Sequence, residues 1–334
     1  MGTTISGFLV YLGDRLGLFR ALKEGGPATA QELAERTDLA ERYVHEWLCS
    51  QAAGGTVSYD PASKRFFLTE EPCACYADER SPTCFLGAYD LIASLFADES
   101  KLLTAFRSGN GVGWHQHDSR LFSGTARFFR PGYEAHLISE WMPALTGVGE
   151  TLERGGPGVH VGCGYGVTTV LLGKRYPQSQ FLGCDYHAPS IQRANDLARE
   201  QGVQGNAKFE VSGAKDYPGE GYDLVTFFDC LHDIGDPLGA LQHVHNTLAP
   251  NGTVMLVEPF ARDRLEDNPT PVGRVFYSAS TVVCTTASKA QEVGLALGAQ
   301  AGEARWRELF TEAGFRHFRR AAETPFSLVF EAQL

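Results

Sequence analysis

The chain has no surplus of positive charge: 29 Lys and Arg stand against 40 Asp and Glu in 334 residues, a formal net charge of −11. Proteins that grip phosphate backbones need a basic footprint, so no nucleic-acid partner is expected and the ligand expected is small. No apolar run reaches the length that spans a bilayer, and no segment has the basic start and apolar core of a secretory leader. The cysteines, Cys49, Cys73, Cys75, Cys84, Cys163, Cys184, Cys230 and Cys284, include no CxxC pair. Reduced thiols in a cytoplasmic protein are therefore expected, and Cys73, Cys75 and Cys84, without a further clustered ligand, predict no metal knot. The length suits one large or two moderate domains without a metal staple.

Glycine is abundant where it is informative. The stretch Val159-His-Val-Gly-Cys-Gly-Tyr-Gly166 follows the turn-rich Gly155-Gly-Pro-Gly158 and precedes the apolar run Val167 to Leu172. This order predicts a buried strand, a glycine turn and a helix start, with Gly162, Gly164 and Gly166 letting backbone approach a ligand closely. A second short apolar strand, Phe181-Leu-Gly-Cys-Asp185, places an acid about 19 residues beyond the last glycine, the spacing of a carboxylate that grips a ribose. The two linked signals are much stronger than the glycine turn alone.

These residues resemble the class I S-adenosylmethionine-dependent methyltransferases, and later landmarks appear in that family's order. Ser212-Gly-Ala-Lys-Asp-Tyr217 sits where such enzymes place an acid or amide near the adenine. Tyr222-Asp-Leu-Val-Thr-Phe-Phe-Asp229 resembles the fourth strand with its terminal acid, and Leu248 to Glu258 the turn and fifth strand. Gly111-Val-Gly-Trp-His115, Phe128 to Tyr133, Phe228 to Asp233 and Val293 to Gly302 extend the resemblance to nearly the whole chain, toward the actinobacterial winged-helix methyltransferases. The resemblance implies S-adenosylmethionine as cofactor, a small-molecule methyl acceptor and a homodimer formed through the N-terminal domain.

The fold class expected is α/β, a Rossmann-like methyltransferase domain behind an α-helical winged-helix domain. Residues 1–85 form the first domain: an amphipathic helix carrying Ile5, Phe8, Leu9, Leu12, Leu16, Phe19 and Leu22, then helices opened by capping boxes at Thr29-Ala-Gln-Glu32 and Asp38-Leu-Ala-Glu41. A hairpin of Thr56–Tyr59 and Arg65–Leu68 follows. Residues 1–80 hold eight basic and twelve acidic side chains, a net of −4, which repels DNA and favours a pairing role. Residues 86–150 are expected to be a helical linker that covers the cleft, with apolar patterns at Leu91 to Phe96 and Leu137 to Leu145. Residues 151–334 alternate strands and helices, which argues a parallel sheet, with Phe315 to Arg320 and Phe326 to Ala332 as closing strands. The stretch 260–302 is an insertion, either a lid or a helix pair packed on the sheet.

Asp185 is the firmest cofactor-binding candidate, since two ribose hydroxyls need an acceptor pair; its alternative is a helix cap. Cys163 in the turn, Tyr186 beside the acid, Lys215 and Asp216 near the adenine position and Asp229 complete the cofactor set. Tyr186, His187 and Asp216 also suit local packing or turn roles. His160 departs from the family, whose members usually carry an acid there that helps hold the cofactor's charged amino-acid end; a core histidine is the reading here, with Asp229 a candidate to compensate.

His232, in Asp229-Cys-Leu-His-Asp-Ile-Gly-Asp-Pro237, lies just past the fourth strand and resembles the base of small-molecule O-methyltransferases. It is the catalytic candidate, with an orienting histidine as the alternative. Some related α-keto-acid C-methyltransferases use this His-Asp region to hold a metal that helps form an enolate. Residues 261–316 contain no second histidine, so no metal is assigned. His115 and His117 would substitute only if the linker folds inward, and His243 and His245, two apart on a helix, point to different sides. Trp114, His115, Phe128, Phe129, Arg130 and Tyr133 suit an aromatic wall or a core. The rival classes are metal-assisted C-methylation, a cofactor-sensing transcriptional regulator, and a cofactor-binding protein that has lost transfer.

Overall fold

The computed structural model describes residues 2–334, and the backbone divides into two units. One holds the chain up to Phe96 with Ser119–Gly132; the other holds Ala97–Asp118 with Tyr133–Leu334. The segment 86–150 is thus shared between them.

In the first unit the apolar stripe of the opening residues breaks into two helices, α1 (Gly2–Arg15) and α2 (Leu18–Gly25), rather than one. Gly17 stands between them at φ 72, a left-handed conformation that glycine adopts without a Cβ clash. The break turns Leu18, Phe19 and Leu22 into the unit's core and leaves Ile5, Phe8 and Leu16 exposed. Phe19 is therefore committed inside its own unit, not available to a partner. Helix α3 (Ala30–Thr37) begins with the expected box, the Thr29 hydroxyl accepting from the Glu32 amide and the Glu32 carboxylate accepting from the Thr29 amide.

The second box does not form. Asp38 ends α3 at φ 54, and α4 (Glu41–Ala53) starts after Ala40 with no side-chain cap. A short acid visits the left-handed region more readily than most residues, so Asp38 serves as the stop of one helix instead of the start of the next. Strands β1 (Ser58–Asp60) and β2 (Arg65–Phe67) close the hairpin, with Tyr59 and Phe66 paired across it.

The second unit is built on a seven-stranded sheet. Its strands are β3 (Gly158–Val161), β4 (Phe181–Asp185), β5 (Ala207–Val211), β6 (Tyr222–Phe228), β7 (Leu248–Pro259), β8 (His317–Glu323) and β9 (Ser327–Gln333), in the order β5-β4-β3-β6-β7-β9-β8. Strands β5 to β7 in that order run parallel, and β9 is antiparallel to both its neighbours. Near-continuous apolar strands such as β6 and β9 are buried along almost their whole length, as strands covered on both faces must be. The chain leaves β3 toward β4 and β5, then returns to the other side of β3 as β6. At such a reversal the loops part on opposite faces, and the crevice at the carboxyl ends of β3 and β6 is where open α/β sheets take ligands.

Leu137–Trp141, expected within a regular helix, winds as a wider π-type turn. Insertion 260–302 holds the helix Pro271–Ala279, the π-type turn Ser280–Cys284 and the helix Thr285–Lys289. Its return is bonded to the turn after β6: Gln291 donates through its side chain to the Asp233 carbonyl and accepts from the Gly235 amide, and the Leu295 amide donates to the Gly235 carbonyl.

Candidate active site

The glycine turn takes the shape its residues predict. Gly162 sits at φ 71 against Cys230, whose Sγ would lie 2.8 Å from any Cβ added there, so both the conformation and the space require glycine. Gly164, at φ 51, is different: a Cβ there would meet nothing within 4 Å, and its backbone is open to a ligand. Gly166 precedes the helix Val167–Arg175, and the buried thiol of Cys163 is pushed well above its usual range by desolvation.

Asp185 ends β4 and reaches back to this turn. Its Oδ2 accepts from the Gly164 amide at 2.9 Å and its Oδ1 from the His187 amide at 2.8 Å. It does not cap the next helix, whose N-cap position is His187. Burial pushes the Asp185 carboxyl up while the two amides oppose it. Each oxygen keeps a further lone pair, which is what two neighbouring hydroxyls require.

The remaining cofactor candidates are more scattered. Tyr186 is 45% exposed and meets the His115 ring edge-on at 5.9 Å. Lys215 is exposed and ion-paired to Asp236 and Glu292. Asp216 is exposed and accepts from the Gly213 amide at 2.6 Å, closing a local turn.

His160 is a core residue. Its Nδ1 lies 2.8 Å from the Thr169 hydroxyl and 3.1 Å from that of Thr168, its ring stands edge-on to Phe228, and Nε2 has no hydrogen-bond partner. Burial pushes it down to about 3, so the imidazole is neutral.

Asp229 follows β6 at φ 49, its amide donating to the Val257 carbonyl. Its Oδ2 accepts from the Tyr133 hydroxyl at 2.6 Å, while Oδ1 is buried without a hydrogen bond. Burial, aided by Glu258 and Asp233 and opposed by Tyr133 and His232, pushes the carboxyl up to about 7.

His232 lies in the short turn Leu231–Asp233 and is buried. Nδ1 bonds the Glu258 carboxylate, whose other oxygen accepts from the Leu231 amide at 3.1 Å. Nε2 is 3.1 Å from Asp233 Oδ1, an ion-pair contact out of line for a hydrogen bond. Burial alone would push the imidazole down, but Glu258 and Asp233 outweigh it and hold it well above its usual value. The imidazolium is thus stabilised from two sides.

Cys284, from the insertion, completes this corner: ligand atoms of His232, Asp233 and Cys284 lie within 4.8 Å of one another. Among the described residues this is the group that could hold a metal ion, and Cys73, Cys75 and Cys84 are not in it. Neither are His115 and His117; the latter bonds buried Asp98 at 2.9 Å. His243 faces the Tyr217 carbonyl and His245 the Phe315 ring, on different sides of their helix. Phe128 and Phe129 pack edge-to-face within the first unit. Sequence reasoning passed over Glu258 as a strand end and Cys284 as an isolated thiol; the one available signal was an acid inside an otherwise apolar strand.

Residues 153–314 match the model of a methyltransferase domain, and residues 4–77 that of the Rv2258c-like winged HTH domain. The chain carries a methyltransferase domain and a winged helix. The fold is that of the class I domains, whose methyl donor is S-adenosylmethionine. Over nearly its whole length the chain is similar in structure to an O-methyltransferase family protein from Burkholderia thailandensis (TM-score 0.73, 15% identity, 99% of this chain and 95% of the other). It is also similar to human N-acetylserotonin methyltransferase in complex with S-adenosylmethionine (TM-score 0.71, 17% identity, 98% and 94%). In sequence it is 29% identical over 105 residues to ajmaline N-methyltransferase of Rauvolfia serpentina, covering 31% of this chain and 36% of that one. The chain thus spans about a third of the length of that curated relative. No helix among the described residues is long and apolar enough to cross a membrane, and all eight cysteines are free.

Proposed function

We propose that the chain is an S-adenosylmethionine-dependent methyltransferase acting on a small molecule, by O-methylation with His232 as base. The turn fits the cofactor on three counts: the open face of Gly164, the paired oxygens of Asp185 with lone pairs to spare, and the unpartnered Oδ1 of buried Asp229. S-adenosylmethionine supplies a sulfonium methyl that a nucleophile displaces directly. Asp185 accepts from the ribose hydroxyls, and the glycine backbone lets the ligand lie close.

The observation that carries the base reading is the buried His232–Glu258 pair at the carboxyl ends of β6 and β7. Glu258 holds Nδ1 and fixes the ring. Since Glu258 and Asp233 keep the imidazole charged above its usual range, Nε2 must first give up its own proton before it takes the acceptor's, so transfer rises with pH; Glu258 then stabilises the imidazolium that forms. Much of the rate then comes from holding the nucleophile in line. His232→Ala should keep cofactor binding by calorimetry and lose roughly 10²–10⁴-fold in single-turnover transfer. Phenols, hydroxylated polyketides and α-keto acids, screened for release of demethylated cofactor, supply the acceptor. Undiminished transfer by His232→Ala removes the residue from the chemistry.

A second reading is favoured by Cys284. His232 Nε2, Asp233 Oδ1 and Cys284 Sγ converge, with Glu258 on the other ring nitrogen, as an outer carboxylate stands behind a metal-ligating histidine. A divalent ion there would acidify the carbon next to a chelated ketone and favour C-methylation of an α-keto acid. Loss of turnover on chelation, restored by a divalent ion in the wild type, selects this reading; turnover indifferent to chelator selects the base.

A further inference from the structure

In a chain with a net charge of −11 carboxylates outnumber cations, and a guanidinium finds one readily. Arg127 does so three times over: Asp14 takes both its terminal nitrogens at 2.6 and 2.9 Å, Glu79 one of them at 2.7 Å and Asp90 the other at 3.1 Å. Arg130, one turn along the same helix Arg120–His136, has no such acid. Its side chain makes no hydrogen bond, ion pair or ring contact among the described residues, although the residue is part-buried and its Nε is fully enclosed. Glu134, at the i+4 position where surface pairs form, is exposed and does not meet it. Every other lysine or arginine without such a contact among the described residues is exposed, where water serves as partner. An enclosed donor left unbonded destabilises the fold, so a position that keeps one has a use outside the fold.

The helix also aims this residue. Its buried side carries Leu121, Gly124 and Pro131, and there Gly124 lies against the backbone of Leu91 and Gly87 against that of Phe128, so closely that a Cβ at either glycine would clash. Arg130 stands off that side. It shares a stripe of the helix with Tyr133, three residues on, whose hydroxyl bonds Asp229 at 2.6 Å just past β6. Phe129 precedes it, so an anion taken by Arg130 lies among aromatic side chains and about 5 Å along the axis from Tyr133. In the reading above the cofactor meets the backbone of the glycine turn and the carboxylates of Asp185 and Asp229, which leaves this cation for the other reactant.

We propose that Arg130 receives the carboxylate of the methyl acceptor, so that the acceptor is a carboxylic acid with an apolar body suited to Phe129 and Tyr133. This rests on the methyltransferase reading above and names the class of its acceptor.

A carboxylate fits better than a phosphate. One guanidinium offers a planar, two-pronged donor that matches one planar anion of single charge. The acids Asp229, Asp233 and Glu258 around His232 disfavour a second negative charge on the ligand. A hydroxy acid and an α-keto acid both meet the requirement, so the assignment holds under either methylation chemistry.

The test is titration calorimetry of the full chain saturated with S-adenosylhomocysteine, using matched probes: salicylate and salicylamide, 3-hydroxy-2-naphthoate and its methyl ester, phenylpyruvate and its methyl ester. At least one acid should bind roughly 10-fold or more tightly than its neutral counterpart. Arg130→Met, which keeps the apolar stem, should weaken that acid by roughly 10–100-fold and leave the neutral counterpart and S-adenosylhomocysteine within about 2-fold. Arg130→Lys, which keeps the charge without the fork, should fall between. Where an acid turns over with S-adenosylmethionine, the loss should appear in KM rather than kcat. Because Arg130 has no partner to lose, Arg130→Met should unfold at no lower urea concentration than the wild type. No acid bound better than its neutral counterpart, or an equal loss of both in Arg130→Met, overturns the assignment while the methyltransferase reading stands. So does weaker binding of S-adenosylhomocysteine by that variant, which puts Arg130 on the cofactor, or a marked loss of stability, which gives it a partner inside the fold. A wild type that binds no S-adenosylhomocysteine overturns the methyltransferase reading and this assignment together.

Discussion

Replacing His160 should flatten the acid limb of the protein's stability curve. The imidazole is buried on β3, has its Nδ1 within hydrogen-bond distance of the Thr168 and Thr169 hydroxyls and has no counter-ion, so the folded state holds it neutral down to about pH 3. In the unfolded chain it titrates near 6.5. A histidine whose folded value is depressed contributes stability that is complete above the unfolded value and is lost as pH falls below it, because only the unfolded state takes up the proton. At pH 5, about 1.5 units below the unfolded value, that loss amounts to roughly 2 kcal/mol relative to pH 8, each unit being worth about 1.4 kcal/mol. It continues to grow until the folded imidazole itself protonates. His160→Asn keeps a polar atom toward Thr169 and does not titrate. Urea unfolding of both proteins between pH 5 and 8, followed by fluorescence of the buried Trp141 and Trp306, gives the difference directly, since carboxylates and other histidines contribute alike to both. The wild type should lose about 2 kcal/mol more than the variant over this range. Parallel curves would refute the argument, because a histidine that costs nothing to protonate is neither buried nor uncharged in the fold.

Asp185→Ala should weaken binding of S-adenosylmethionine by roughly 1–3 kcal/mol in calorimetry, since two ribose hydroxyls lose their acceptors; unchanged affinity takes Asp185 out of the site. The exposed residues Ile5, Phe8 and Leu16 lie on one run of α1 and the residue following it, and light scattering should show a full-length dimer that Phe8→Glu with Leu16→Glu converts to monomer. A monomeric wild type ends the pairing proposal. Point variants serve better than a truncation near residue 90, because Ser119–Gly132 belongs to the same unit as the N-terminal helices.

The elements legible in the sequence are those whose causes lie within a few residues. Gly162, Gly164 and Gly166 sit at positive φ because the turn demands it, and the acid of Asp185 falls on that turn because one strand and one helix set the distance. The Thr29–Glu32 box needs only three residues of separation. The two local errors, a continuous first helix and a cap at Asp38, arise where one glycine or one short acid has two conformations open to it and the packing chooses. Leu18, Phe19 and Leu22 bury only if the chain breaks at Gly17.

Sequence by itself determined the order of strands and helices, the glycine turn, the placing of Asp185 and the acidic character of the winged helix, since these follow from local conformational preference, hydrophobic period and composition. Tertiary structure alone decided what His232 touches. Glu258 reaches it from 26 residues away on the adjoining strand, Cys284 arrives from the insertion, and Tyr133 meets Asp229 across 96 residues. Such contacts depend on which strand lies beside which, on register and on where an insertion folds back. The same neighbours set the charge of each group: burial and facing carboxylates raise Asp229, facing carboxylates raise His232 against its burial, and burial lowers His160, in ways no residue's own identity contains.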